Sequence, residues 1–147
     1  MIQIEQKTPT NLPTETEIES YADFLVTHLE EYGDQRADIL KALHFSLGME
    51  NKPGGFLLIA KNTENRIVGI TVILDTLMAD FIPEHILVYI ATDAAQRGQG
   101  IGRKLIEAAI AKAKGSIALH VEPQNPAKKL YEKLGFENKY LEMRLTK

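Results

Sequence analysis

Glycines alternate with other residues in Arg97–Gly102, a segment that lies between an apolar run and an amphipathic pattern. The run Ile86–Ala91 has the length of a strand, and Ile101, Leu105 and Ala109 recur at helical spacing. Glycine lets the backbone approach a ligand closely, and the first N–H groups of a helix have no intrahelical partners. The segment therefore predicts that a phosphate-bearing ligand binds at the start of this helix.

Length and composition narrow the class of protein. The 147 residues, 44% of them apolar and 25% charged, predict one folded domain spanning residues 1–147. A net charge of −3 argues against broad electrostatic binding to nucleic acid, and no apolar run approaches the roughly 18 residues of a membrane span. Because Met1–Glu5 lacks the basic start and apolar core of a signal peptide, we expect a cytoplasmic protein with no membrane partner.

The periodicity of apolar residues predicts alternating strands and helices along the chain. Strands are predicted at 1–6, 56–60, 67–74, 86–91, 117–122 and 139–145, and helices at 15–31, from Asp34 to Gly48, from Ile101 to Ala113 and from Asn125 to Gly135. Thr14 and Glu17 form a capping-box pattern, Asp34 is the expected N-cap of the second helix, and Gly135 with Phe136 is a helix C-terminal signature. The order β-α-α-β-β-β-α-β-α-β predicts an α/β fold, a three-layer mixed β-sheet with helices on both faces.

Three phosphate-binding patterns compete for the glycine segment. The dinucleotide fingerprint G-x-G-x-x-G requires glycine where Arg103 stands, and the P-loop pattern has no match. The pyrophosphate loop Gln/Arg-x-x-Gly-x-Gly/Ala of acyl-CoA-dependent acetyltransferases is matched by Arg97, Gly100 and Gly102. Farther along, Asn125–Phe136 matches a second block of the same proteins, with its asparagine, a Leu-Tyr pair and a final Gly-Phe. From these two motifs, the chain resembles the GNAT N-acetyltransferase superfamily over about residues 55–140.

The resemblance implies that acetyl-CoA is the co-substrate and that its pantetheine arm lies in a cleft where the central strand and the His120 strand splay apart. A backbone N–H near Ile90 or Ala91 is the expected oxyanion donor, and the Arg97 and Arg103 side chains can add charge-assisted contacts to the pyrophosphate. The residues implied to contact acetyl-CoA are Ile90, Ala91, Thr92, Arg97, Gly98, Gln99, Gly100, Ile101, Gly102, Arg103, Asn125 and Tyr131.

Acetyl transfer to an amine also needs a base for the amine and an acid for the departing thiolate. Tyr131 matches the family tyrosine near the CoA sulfur, and a phenol is protonated at neutral pH and can donate. The sequence leaves the identity of the base open. The candidates are His120 on the cleft strand, Glu84 or His85 before the central strand, and ordered water, with imidazole suited because it changes charge between about pH 5 and 8.

The acceptor is implied to lie under the first two helices, where Glu30, Glu31, Asp34 and Asp38 concentrate negative charge. This charge favours a cationic amine, such as a polyamine, an amino sugar or a peptide terminus; a solvated acidic turn is the alternative. Because the chain has no cysteine to carry an acetyl group, we expect direct transfer to the amine. The His, Asp and Glu residues show no metal-ligand spacing, so no metal is predicted.

Two other functions remain open on the sequence alone. A catalytically silent acyl-CoA-binding module would keep the glycine segment without the chemistry, and a nucleotide-binding domain would use the segment for another phosphate. Loss of turnover with retained acetyl-CoA binding in a Tyr131→Phe variant would distinguish the enzyme from the module. The sequence leaves a homodimer open.

Overall fold

A computed structural model describes residues 1–147 of the chain. Its strands form one sheet in the order β1-β2-β3-β4-β5, with every neighbouring pair antiparallel except β4 and β5, which are parallel. The strands are β1 Gln3–Lys7, β2 Gly55–Lys61, β3 Ile67–Asp75, β4 His85–Thr92 and β5 Ile117–Leu119. The helices are α1 Glu15–Leu29, α2 Arg36–Ser46, α3 Ile101–Lys112 and α4 Ala127–Lys133.

Helices cover both faces of the sheet, so the predicted three-layer α/β class is confirmed. Helices α1 and α2 share one core with Leu57 and Ile59 of β2, whereas α3 shares a second core with Phe56 and Leu58 of the same strand. Strand β2 is therefore buried on both faces, which explains its unbroken apolar sequence. None of the helices has the length and apolar character needed to cross a membrane.

Helix α3 lies unusually close to the sheet at Gly69. A Cβ atom at this position would lie 2.7 Å from Leu105 Cδ1 and 3.0 Å from Ile101 Cγ2. A Cβ atom at this distance would force these two buried side chains to shift, because real Cβ atoms almost never come so near to another atom. Gly69 therefore lets α3, which begins at the glycine segment, pack closely on the sheet.

Strand β4 carries a β-bulge at Val88. Val72 of β3 pairs with Tyr89, but the next residue, Ile73, pairs with Leu87, so Val88 is the extra residue. The pairing of β4 with β5 stops just before the bulge, because it covers only His85, Ile86 and Leu87. From Val88 to Thr92 the edge of β4 that faces away from β3 has no strand beside it. This open edge lies where the sequence predicts the cleft.

The first helix begins as predicted but ends earlier. The Thr14 hydroxyl accepts from Glu17 N–H (3.1 Å) and the Glu17 carboxylate accepts from Thr14 N–H (2.9 Å), which confirms the capping box. The expected end at Glu31 is wrong: α1 ends at Leu29 and a 3₁₀ turn, Glu30–Tyr32, follows. Glu30 adopts φ 56° and ψ −129°, a conformation that does not continue a helix.

The predicted cap of the second helix is also wrong. The N-cap of α2 is Gln35, and no side chain caps this helix. The carboxylate of Asp34 instead accepts a hydrogen bond from the Tyr89 hydroxyl. A buried tyrosine hydroxyl on β4 needs a partner, and Asp34 supplies it in place of capping the helix.

Two strand predictions near the C-terminus are corrected. Strand β5 ends at Leu119 rather than Glu122, and the final strand expected at 139–145 does not form. In the C-terminal segment, Glu137–Lys147, no backbone group makes a hydrogen bond within the chain, and every residue is exposed. A strand forms only against a partner edge, and β5 offers 3 residues, so the alternating sequence alone does not produce one.

Candidate active site

Two glycines shape the segment between β4 and α3. The Asp93 carboxylate accepts from Ala95 N–H (2.9 Å) and starts a 3₁₀ turn, Ala94–Gln96, after which Gly98 (φ 86°) and Gly100 (φ 79°) adopt left-handed backbone conformations. Side chains other than that of glycine are strained there. A Cβ atom built on either glycine would meet no atom within 4 Å, so this side of the loop is open to a ligand.

The start of α3 presents free backbone donors on the same loop. Gly100 is its N-cap and offers no side-chain hydrogen bond, and the first N–H to bond is that of Lys104, to the Gly100 carbonyl (3.1 Å). The N–H groups of Ile101, Gly102 and Arg103 therefore have no acceptor within the chain. Three free donors at the positive end of a 12-residue helix dipole fit the oxygens of a pyrophosphate.

Gly102 marks the point where three elements meet. A Cβ atom at this residue would lie 3.7 Å from Leu130 Cδ2 on α4 and 3.8 Å from Thr92 Cγ2 at the end of β4. These are ordinary van der Waals distances, so a methyl group fits but a longer side chain does not. The helix start, the open end of β4 and the helix that carries Tyr131 therefore line one place in the fold.

Arg97 and Arg103, which were predicted to contact the pyrophosphate, pair with carboxylates of the chain itself in this structure. Arg97 forms an ion pair with Glu30 and donates from Nη2 to the His28 carbonyl (2.9 Å), and Ala94 N–H donates to His28 Nδ1 (3.2 Å). Arg103 lies 3.6 Å from Glu107 Oε1 on its own helix. The glycine segment is thus tied to the end of α1, a link that no local sequence signal indicates.

The cofactor positions predicted on β4 lie along its open edge. Ile90, Ala91 and Thr92 pair with Thr71, Ile70 and Gly69 of β3 on one side only. On the other side β5 has already ended at Leu119. An extended ligand can lie here and bond to the backbone as a strand would.

Tyr131 is positioned by the way α4 ends. Gly135 (φ 101°) follows the helix, its N–H donates to the Glu132 carbonyl (3.1 Å), and Phe136 N–H donates to the Tyr131 carbonyl (3.0 Å). This is a Schellman motif, and the Tyr131 and Phe136 rings, 5.8 Å apart, provide its apolar contact. The predicted helix end is confirmed. It fixes the Tyr131 ring, and burial alone raises the pKa of its hydroxyl to about 12.

Asn125 performs the role of a cap at the start of α4. Its Oδ1 accepts from Ala127 N–H (2.9 Å), and its backbone carbonyl accepts from Lys128 N–H (3.1 Å). The Nδ2 donor makes no hydrogen bond within the chain, so it is free to contact a ligand.

Glu84 and His85, two of the candidate bases, lie at the start of β4. Glu84 accepts from Ser116 N–H (2.6 Å) and from Asp80 N–H (3.2 Å), and these bonds lower the pKa of its carboxyl group. His85 uses both ring nitrogens: Nδ1 lies 2.9 Å from Asp75 Oδ1, and Nε2 accepts from Lys114 N–H (3.2 Å). Both residues fasten β5 to the start of β4, at the opposite end from the glycine segment.

His120 follows β5 directly, where the cleft begins. Its side chain is 72% exposed, and Nδ1 lies 4.0 Å from Glu142 Oε1. Because Ile117 and Leu119 pack toward α3, alternation directs His120 to the other face of the sheet, the face that α1 and α2 cover farther along.

Carboxylates gather near Tyr32, in the 3₁₀ turn after α1. The pKa of the hydroxyl of this half-buried residue is raised by desolvation and by the nearby charges of Glu31, Glu122 and Glu30. Glu122 follows β5, so the end of β5 and the turn after α1 lie near each other. Asp34 adds a further carboxylate, held by Tyr89. No three His, Asp or Glu side chains converge in a way that could hold a metal ion.

A mixed sheet whose last pairing ends early, beside an open glycine loop with free N–H donors at a helix start, has the space and the donors that fit an extended, phosphate-bearing ligand. Residues 53–138 match the family model of the acetyltransferase (GNAT) domain, so the chain belongs to the GNAT acetyltransferase family. The comparison with curated proteins gives no match.

Solved structures share the fold over nearly the whole chain. A transcriptional regulator from Bacillus halodurans C-125 is 24% identical with a TM-score of 0.71, covering 99% of each chain. The aminoglycoside N-acetyltransferase AAC(6')-Iy in complex with CoA is 16% identical with a TM-score of 0.69, covering 100% of this chain and 96% of that one. A GNAT-family acetyltransferase from Streptococcus pneumoniae TIGR4 is 18% identical with a TM-score of 0.67, covering 100% and 98%.

Proposed function

We propose that the protein transfers an acetyl group from acetyl-CoA directly to an amine. Membership of the GNAT family makes it an acetyltransferase, and the observation that supports acetyl-CoA as donor is the open loop at the start of α3. There the unbonded N–H groups of residues 101–103 face the space that the glycines leave free. AAC(6')-Iy, which has the same fold, was solved in complex with CoA.

In this proposal the chain holds acetyl-CoA at three places. The free N–H groups at the start of α3 bind the pyrophosphate, the open edge of β4 bonds to the pantetheine arm, and Asn125 Nδ2 donates to the same arm. Arg97 reaches the pyrophosphate only after it leaves Glu30, whereas the backbone donors need no rearrangement.

In this proposal Tyr131 is the proton donor. When the amine nitrogen bonds to the acetyl carbonyl carbon, the C–S bond breaks and the sulfur leaves as a thiolate that needs a proton. A phenol with a pKa of about 12 is protonated at neutral pH, so its hydroxyl can donate to the thiolate. Burial against Phe136 keeps the ring in place for this role.

We assign the base, which removes the proton from the amine, to His120. Its exposed imidazole directly follows β5, at the point where β4 loses its neighbouring strand. Glu84 and His85 are less suited, because their polar atoms are occupied in holding β5 and a lowered pKa weakens Glu84 as a base. Ordered water in the open cleft is the alternative to His120.

The acceptor in this proposal is a cationic amine. Glu31 and Glu122 lie near Tyr32 and form no ion pair within the chain, so their charge is available to an ammonium group. AAC(6')-Iy was also solved in complex with a bisubstrate analogue, CoA-S-monomethyl-acetylneamine. Charge attraction to the carboxylates of this cleft favours polyamines, amino sugars and peptide termini over neutral amines.

The test is an acceptor screen that follows the release of CoA thiol with a thiol-reactive dye. The chain contains no cysteine, so the dye reports CoA alone. We expect turnover with polycationic amines and none with the corresponding alcohols. Acetyl-CoA binding by calorimetry without turnover on any amine would instead identify a silent acyl-CoA-binding module. Binding of ATP or NAD without CoA would overturn the proposal.

A further inference from the structure

His28, in the last turn of α1, contacts the chain between β4 and α3 through both its side chain and its backbone. Its Nδ1 accepts from Ala94 N–H (3.2 Å), and its carbonyl accepts from Arg97 Nη2 (2.9 Å). The residue is half-buried, and its ring centre lies 4.5 Å from that of Phe24, one helical turn earlier. A ring nitrogen that accepts carries no proton, so the imidazole is neutral in this contact.

Every backbone N–H has an acceptor in the turn that follows β4. The donors of this turn are Asp93, Ala94, Ala95 and Gln96. Three of the bonds, each 2.9 Å long, are made to Asp93 itself or to β3, and the fourth is the bond from Ala94 to His28. From residue 98 to residue 103, by contrast, no N–H has an acceptor within the chain. The bonded turn therefore ends just before the free donors begin, and one of its bonds comes from a distant helix.

We propose that His28 is a positioning residue for acetyl-CoA, an inference that rests on the proposed function. Its imidazole holds Ala94, so that the free donors of residues 98–103 are in place before the pyrophosphate arrives. Gly98 and Gly100 give the loop backbone more freedom than other residues would, so the loop depends on what holds its two ends. Helix α3 holds one end, and His28 holds the other. Without His28 the donors would have to be ordered when the ligand binds, which lowers the affinity.

The bond from Ala94 differs from the other link between α1 and the loop. In the proposed complex Arg97 leaves Glu30 for the pyrophosphate, so their ion pair is lost. Ala94 N–H and His28 Nδ1 are not needed by the ligand, so their bond persists when acetyl-CoA is bound. Because Ala94 is exposed, water can replace the imidazole as acceptor, and the loss of the bond costs the folded chain little stability. Its effect therefore falls on the order of the loop.

Two substitutions separate the acceptor from the ring. His28→Asn keeps an acceptor, Oδ1, at the same number of bonds from the backbone as Nδ1, whereas His28→Phe keeps a ring against Phe24 and removes the acceptor. Phenylalanine and asparagine have similar helix propensities. By calorimetry, we expect acetyl-CoA affinity to fall about 5-fold in His28→Phe, which is the worth of one hydrogen bond, and to stay within about 2-fold in His28→Asn. His44→Phe, on α2, is the matched control and should leave the affinity unchanged.

Amide hydrogen exchange, followed by NMR without ligand, tests the contact itself. Ala94 N–H should exchange faster in His28→Phe than in the unchanged protein or in His28→Asn. Faster exchange with unchanged affinity would show that acetyl-CoA does not need the held turn, and would overturn the inference. An equal loss of affinity in the two variants would overturn it as well, because the ring and not the acceptor would then matter. If the unchanged protein does not bind acetyl-CoA, the proposed function itself fails.

Discussion

Tyr131 combines a buried ring, a raised hydroxyl pKa and a place on the helix that meets the start of α3, and these features support its proposed role as the proton donor. Tyr131→Phe keeps the packing against Phe136 and removes the hydroxyl. We expect the turnover number to fall about 10²-fold or more, with acetyl-CoA affinity by calorimetry changed less than about 2-fold. Tyr140→Phe, in the exposed C-terminal segment, is the matched control and should leave both unchanged. Equal turnover in the two variants would remove Tyr131 from the chemistry.

His120 makes a second prediction at the scale of one side chain. If its imidazole accepts the amine proton, His120→Gln should lower kcat/KM about 10²- to 10⁴-fold at neutral pH and change its pH profile. His44→Gln, on α2 away from the cleft, is the control. A pH profile unchanged by His120→Gln would assign the base to ordered water.

The residues that sequence patterns miss are those whose role comes from distant contacts. The local pattern predicts Asp34 as the cap of α2, but its carboxylate accepts a hydrogen bond from Tyr89, which lies 55 positions farther along the chain. Glu84 and His85 are candidate bases because carboxylate and imidazole are the usual proton acceptors. Their hydrogen bonds to the backbone around Ser116 depend on how β5 returns to β4, which no local pattern contains.

At the scale of elements, the contact between α3, α4 and β4 at Gly102 makes a graded prediction. Alanine fits the 3.7 Å gap and favours the helix, so Gly102→Ala should bind acetyl-CoA within about 3-fold of the unchanged protein. Gly102→Leu would push into the cleft between α4 and β4, and its affinity should fall about 10-fold or more. Calorimetry measures both affinities. Equal affinity in the alanine and leucine variants would place acetyl-CoA elsewhere.

Local signals predict the elements where the chain itself supplies the hydrogen bonds. The capping box of α1 and the Schellman end of α4 each close within a few residues, so the sequence is sufficient for both. The bulge at Val88, the short β5 and the absent final strand depend on which edges meet in the sheet. An alternating sequence indicates only that a segment can pair as a strand. Whether it does pair depends on a free strand edge elsewhere in the fold.

The whole molecule should lose stability at alkaline pH. Burial is the main cause that raises the pKa values of the hydroxyls of Tyr21, Tyr89 and Tyr131 above the ordinary value of 10.0. Below about pH 10 these groups are neutral in both states and their contribution is complete. Above it the unfolded chain releases protons that the folded chain retains, so the free energy of unfolding falls.

For Tyr131 the loss amounts to about 3 kcal/mol once the pH has passed its folded pKa of about 12. Denaturant unfolding at increasing pH should show the midpoint falling above about pH 10, and falling less in Tyr131→Phe. Tyr140→Phe again serves as the control, because Tyr140 is exposed. A midpoint that stays constant from about pH 9 to 11 would contradict the assignment of these hydroxyls as buried and neutral.

The ion pair between Arg97 and Glu30 ties the glycine segment, which is proposed to bind acetyl-CoA, to the end of α1, which is proposed to face the acceptor. In the proposed complex the pyrophosphate competes with Glu30 for Arg97, and Glu30 sits in a backbone conformation that is strained for any residue except glycine. Acetyl-CoA would then free a carboxylate on the wall that an ammonium group approaches. Thermodynamic reciprocity requires the converse: an acceptor that holds Glu30 tightens acetyl-CoA by the same factor. Positive cooperativity between two substrates would thus follow from one surface ion pair.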